Sequence, residues 1–169
     1  KTKYSRLFQF WSKPRKGQRS GAYNMLLTYL YEATVVRCID GDSVVFDIDC
    51  GFDISLKNQS VRLYGIDTSE TRGGTEDLKI LGHLAKDFVV GLLPVGSKVL
   101  LKTYLDRRGK FGRIMADIHV KSGDGYDDTS VNQMLLDECL AVPYAGQSKE
   151  DILNQHLIHV EHHRSKGSM

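Results

Sequence analysis

Cysteine is scarce in this chain, with three in 169 residues. Cys38, Cys50 and Cys139 form an odd, sparse set, which argues against a disulfide framework, and they lack metal-ligand spacing. They read as ordinary buried thiols and are a weak pointer to a reducing compartment. Long apolar runs are missing too. No stretch reaches the roughly eighteen residues that a membrane-spanning helix needs, so no span is expected. No internal repeat is visible. Acid is missing from one region only: residues 1–23 carry seven basic side chains and no carboxylate, while the remainder carries sixteen basic and twenty-one acidic ones. The net charge of +2 therefore hides a basic arm on an acidic domain. The arm interleaves its charges with Tyr4, Phe8, Phe10, Trp11 and Tyr23, and Lys-Pro-Arg-Lys-Gly at 13–17 breaks any regular element. It reads either as a flexible arm that touches phosphates and stacks bases, or as a tail whose aromatics pack on the domain or on a partner. It is too polar for a secretory core. The chain begins at Lys1, and no cellular location is read from it.

What remains, residues 24–169, is long enough for one domain with a real core. Tyr31–Ile39 and Ser43–Cys50 read as strands around an Asp40-Gly41-Asp42 turn. Residues 51–59 read as a loop or wide hairpin, and Ser60–Ile66 as a third strand ending at Asp67. Thr75 is a plausible N-cap with Glu76 and Asp77 in the first turn. Behind it Leu78, Leu81, Ala85, Phe88 and Leu92 recur at helical spacing, and Pro94 and Gly96 stop the helix. Lys98–Leu105 and Arg113–Val120 read as two more strands, and Gly123-Asp124-Gly125 as a turn. Ser130–Leu140 reads as a helix opened by a Ser130/Gln133 capping box. The last helix runs from Ser148 to about Arg164, with Ile152, Leu153, Leu157 and Val160 inward. Five short strands with an inserted helix predict a mainly β, α+β fold: a five-stranded Greek-key barrel of the OB type with three helices, closed because closure removes sheet edges.

Two acidic motifs carry the chemistry. Asp40-Gly41-Asp42-Ser43-Val44 opens the second strand, and Val61-Arg62-Leu63-Tyr64-Gly65-Ile66-Asp67-Thr68-Ser69-Glu70-Thr71 closes the third. Carboxylates at strand edges face solvent from a rigid origin, and hard cations need such fixed oxygens. Arg62 supplies a planar fork for a phosphate. Together they point to metal-assisted phosphodiester chemistry. A straight strand places Arg62 and Asp67 roughly 16 Å apart on opposite faces, so both reach one phosphate only if the strand breaks, with Gly65 as the bend. Four histidines, His156, His159, His162 and His163, invite a metal reading; with no further ligand in reach they are expected to form a solvated helix face. Asp47, Asp49 and Asp53 are expected on a solvated hairpin.

These motifs, with Lys-Phe-Gly-Arg at 110–113, resemble the staphylococcal nuclease (thermonuclease) family in order and spacing from about Tyr31 to about Arg164. The resemblance implies a Ca²⁺-dependent nuclease acting on DNA and possibly RNA, leaving 5′-hydroxyl and 3′-phosphate ends. It implies that Asp42, Asp67 and the Thr68 carbonyl hold one Ca²⁺, with Asp40 behind them. Glu70 would orient or deprotonate the attacking water, and Arg62 and Arg113 would hold the scissile phosphate. Lys110, Phe111 and Tyr144 would contact the nucleotide. Ser43 stands where threonine is usual, Ser69 where proline is usual, and Phe111 where a tyrosine often stacks. The rival reading is a noncatalytic nucleic-acid- or protein-binding module on the same barrel. Such relics usually lose the acids or arginines, and here all are present.

Overall fold

The computed structural model describes residues 28–104 and 113–169. The basic arm, and Lys110 and Phe111 with it, lie outside the described residues. Five strands close into a barrel. Antiparallel pairing joins β3 (Ser55–Leu63) to β2 (Ser43–Asp49), β2 to β1 (Thr28–Asp40), β1 to β5 (Lys98–Tyr104) and β5 to β6 (Ile114–Ser122). A parallel pairing of β3 with β6, Val61 opposite Ile114, completes the ring. This is the OB-type architecture expected from the strand count, with the β3–β6 pairing over Val61–Leu63 closing the sheet on itself.

Period-two alternation drives the barrel. In β5, Val99, Leu101 and Thr103 point inward while Lys98, Leu100, Lys102 and Tyr104 point out. Phe46, Val61, Leu63, Leu101 and Ile118 are fully buried in the lumen, each stabilising by about 1.5–3 kcal/mol. Helix α1 (Glu76–Leu92) packs Leu78, Leu81, Ala85 and Val89 against this core. Thr75 is the N-cap residue in extended conformation, yet its side chain makes no capping bond. Helix α2 (Val131–Asp137) starts at Ser130, whose hydroxyl accepts from the Gln133 amide at 3.2 Å. Asn132 on α2 is buried. Its amide donates to the Tyr64 and Ala116 carbonyls, and its oxygen accepts from the Ile118 N–H. It welds α2 to β6 and to the turn that follows β3.

Several elements differ from expectation. The third strand starts at Ser55, not Ser60, because the β2–β3 hairpin is longer than its composition suggested. The strand also ends earlier, at Leu63. Ile66–Thr68 is a separate strand, β4, which pairs with β8 (Ala141–Pro143) rather than with the barrel. The expected Ser130–Leu140 helix stops at Asp137, ahead of Cys139 at a φ of +55°. Gly125–Tyr126 adds β7, a short hairpin partner of β6. Helix α3 (Lys149–Ser165) presents a different face. Its buried residues are His156, Val160 and His163, whereas Leu153 and Leu157 are exposed. The expectation of a solvated histidine face is therefore wrong for His156 and His163. The three cysteines are free and half-buried, and the hairpin acids are solvated as expected, Asp47 pairing with Lys57 at 3.1 Å.

Candidate active site

The β1–β2 turn and strand β3 bring the first pair together. Ser43 is in register with Arg62, and the Leu63 N–H donates to the Asp42 carbonyl at 2.9 Å. Asp42 therefore lies beside Arg62, and its Oδ2 is 2.8 Å from Arg62 Nη2. The chain then reverses at Gly65, whose φ of +74° suits glycine. The turn is held by Tyr144, whose N–H donates to the Gly65 carbonyl at 2.8 Å. This break swings β4 back so that Asp67 Oδ1 accepts from the same Arg62 Nη2 at 2.7 Å. Two carboxylates from separate motifs thus meet one nitrogen. Asp67 does not end the third strand, as the sequence suggested; it sits in the middle of β4.

Helix α1 is the floor. The Ser69 hydroxyl donates to the Leu78 carbonyl at 2.7 Å. Gly82 lies so close to the next segment that a Cβ there would stand 2.6 Å from the Ser69 carbonyl oxygen and 2.8 Å from that of Glu70. A Cβ on Gly41 would stand 2.8 Å from the Ala85 Cβ. Both acidic segments are seated on one helix surface. Asp40 fastens the rim, its Oδ1 accepting from the Thr71 hydroxyl at 2.9 Å.

These residues line an open cleft of about 450 Å³ that gathers Asp40, Asp42, Arg62, Asp67, Thr68, Glu70 and Arg113. Arg72 and Lys86 also line it. Neither had been singled out from sequence, where a lone basic residue in a loop or helix carries no signal. Tyr144 is half-exposed and outside the lining residues.

The two aspartates differ electrostatically. Burial pushes the Asp42 carboxyl above the usual carboxylate range, against the pull of Arg62 and of the Ser43 hydroxyl, which donates to its Oδ1 at 2.8 Å. Burial also works against ionised Asp67, but the hydrogen bond from His156 and the Arg62 charge outweigh it and hold its acid below the usual range. His156 Nε2 is 3.2 Å from Asp67 Oδ2. Sequence reasoning missed this contact. The signal available was the spacing of Ile152, His156, Val160 and His163, a helical stripe with polar members.

The donors suit a hard cation: two carboxylates, with Thr68 buried beside them. Burial leaves Asp42 short of compensating positive charge, which a cation would supply. Among the described residues no group of three or more His, Cys, Asp or Glu side chains is arranged for a metal, so water and substrate oxygens would have to fill most of its shell.

The staphylococcal nuclease homologue family matches residues 60–166. The chain belongs to this family. It is 33% identical to the thermonuclease of Staphylococcus hyicus over 82 residues, which is 48% of this chain and 44% of that protein. The match thus spans less than half of the relative's length. Asp40 and Asp42 precede the residues matched by the nuclease family. Their place in the site rests on the Arg62 ion pair and the shared cleft.

Proposed function

We propose that the chain is a Ca²⁺-dependent nuclease that hydrolyses phosphodiester bonds of DNA, with RNA a further candidate substrate, leaving 5′-hydroxyl and 3′-phosphate ends. The carrying observation is that Asp42 and Asp67 both lie within hydrogen-bond distance of Arg62 Nη2. Membership of a nuclease family supports the reading.

Asp42 and Asp67, with the Thr68 carbonyl, would hold the cation. When bound, Ca²⁺ polarises a phosphate oxygen and adds positive charge beside it. Arg62 and Arg113 line the cleft and neutralise charge growing on the phosphate. Both carboxylate contacts of Arg62 use Nη2, and a guanidinium carries five N–H donors, so the fork has donors to direct at a phosphate. Glu70 is exposed at the rim, where its carboxylate would orient or deprotonate the attacking water. Asp40 holds the Thr71 hydroxyl and so steadies the segment that carries Glu70.

Plasmid digestion with Ca²⁺, with Mg²⁺ and with EDTA tests this. Cleavage with Ca²⁺ and loss of cleavage in EDTA are expected. Undiminished cleavage in EDTA overturns the metal role, and tight DNA binding without cleavage in Ca²⁺ favours the noncatalytic module.

A further inference from the structure

Helix α3 carries two buried histidines two turns apart, and they do different things. His163 Nε2 lies 3.2 Å from the Cys139 carbonyl, an ordinary bond to backbone. His156 Nε2 instead lies 3.2 Å from Asp67 Oδ2, eighty-nine residues away in sequence. An ionised carboxylate only accepts, so His156 donates through Nε2–H. That leaves its Nδ1 buried with no partner among the described residues, as is the Nδ1 of His163, so what separates the two rings is the partner of Nε2. An unsatisfied buried nitrogen costs about 1–3 kcal/mol, and a leucine would fill the place without that cost. Packing therefore does not account for an imidazole here, and the bond from Nε2 does.

The two oxygens of Asp67 are also divided. Oδ1 faces Arg62, and through it Asp42, while Oδ2 faces His156. His156 is 4% exposed, so its bond is shielded from competing water. Asp67 itself sits on a three-residue strand that, among the described residues, pairs with β8 alone, a light support for a ligand. The carboxylate needs a second point of attachment to keep its rotation fixed.

We infer that His156 is a positioning residue. Its Nε2–H holds the Asp67 carboxylate in the orientation that binds the divalent cation, so that helix α3 is part of the metal site. This rests on the Ca²⁺ reading above. Partners that orient a ligating carboxylate are worth roughly 10–100-fold in metal affinity.

The test measures Ca²⁺ affinity of the full chain by calorimetry, together with thermal stability, for His156→Leu, His156→Gln and His163→Leu. His156→Leu is expected to weaken Ca²⁺ binding by about 10–100-fold. His156→Gln, which keeps an N–H donor, is expected to restore most of the affinity. His163→Leu is expected to lower the melting temperature without changing affinity. Unchanged affinity in His156→Leu overturns the inference. Equal weakening in His163→Leu also overturns it, since the effect would then be one of helix docking. A metal-free measurement separates this inference from the Ca²⁺ reading. Long-range ¹H–¹⁵N spectra of the imidazoles should show His156 as the Nε2–H tautomer and should change for that ring in Asp67→Ala. An Nδ1–H tautomer, or a His156 signal indifferent to Asp67→Ala, overturns the clamp even if Ca²⁺ binds. Failure of wild-type protein to bind Ca²⁺, with the His156 signature intact, overturns the metal assignment alone.

Discussion

The β1–β2 turn and strand β4 each bring one aspartate to the same arginine nitrogen, yet the two regions treat their acids in opposite ways. Asp42 is the more buried, and Arg62, a neighbouring hydroxyl and the more weakly acting Arg113 charge do not fully offset its lost hydration. Asp67 is less buried and has Arg62 and His156. The first carboxylate is short of positive charge and the second is not. A shared partner does not make two carboxylates equivalent; the balance of desolvation against compensation decides.

Removing the shared partner should have the largest effect. Arg62→Ala strips both acids of their shared guanidinium and, on the proposed reading, removes a donor to the phosphate. Turnover on DNA is expected to fall by about 10²–10³-fold, read by initial rates at saturating substrate. A loss confined to KM would show that Arg62 only binds.

The next test separates the two regions by their seating on α1. Gly82→Ala drives a Cβ into the backbone of Ser69 and Glu70, whereas Gly41→Ala meets the Ala85 methyl group and the Thr68 side chain. Backbone yields less than side chains. Gly82→Ala is expected to cost about 1–3 kcal/mol in denaturant unfolding, and Gly41→Ala less. The reverse order would mean that β4 is free to slide over the helix.

The smallest effect is one of sign. In metal-free buffer near neutral pH, Asp42→Asn is expected to raise the melting temperature and Asp67→Asn to lower it. The raised acid of Asp42 contributes stability below the ordinary carboxylate pKa and loses it as pH rises through the folded value. The depressed acid of Asp67 contributes stability above the ordinary pKa and loses it as pH falls through the folded value. Melting curves of the two variants from acid to neutral pH should therefore depart from wild type in opposite directions. Parallel shifts would erase the contrast.

Much of the fold was legible because β1, β5 and β6 carry alternating stretches, β2 is a short apolar run beside a turn, and α1 carries a clean apolar stripe. The start of β3 was hidden because Ser55–Asn58 is exposed, so no buried face marks it. Strands β4 and β8 were hidden because three-residue strands carry no period; they exist through pairing between distant segments. In the site, Asp42, Arg62 and Asp67 were legible from their place at a turn and beside a glycine that breaks a strand. Gly65 does bend the chain as that reading required. His156 was not legible, since polar residues on a terminal helix read as solvated until the packing of α3 is known. The closeness of Gly82 to the Glu70 segment is likewise a tertiary fact that local sequence does not encode.

On the proposed reading Asp42 and Asp67 belong to one cation site, although only Asp67 lies within the residues matched by the family. The most direct measurement is the Ca²⁺ dependence of cleavage of a defined oligonucleotide by wild type, Asp42→Asn and Asp67→Asn. Each substitution is expected to shift the Ca²⁺ requirement strongly upward. A Ca²⁺ requirement in Asp42→Asn equal to that of wild type would contradict that reading.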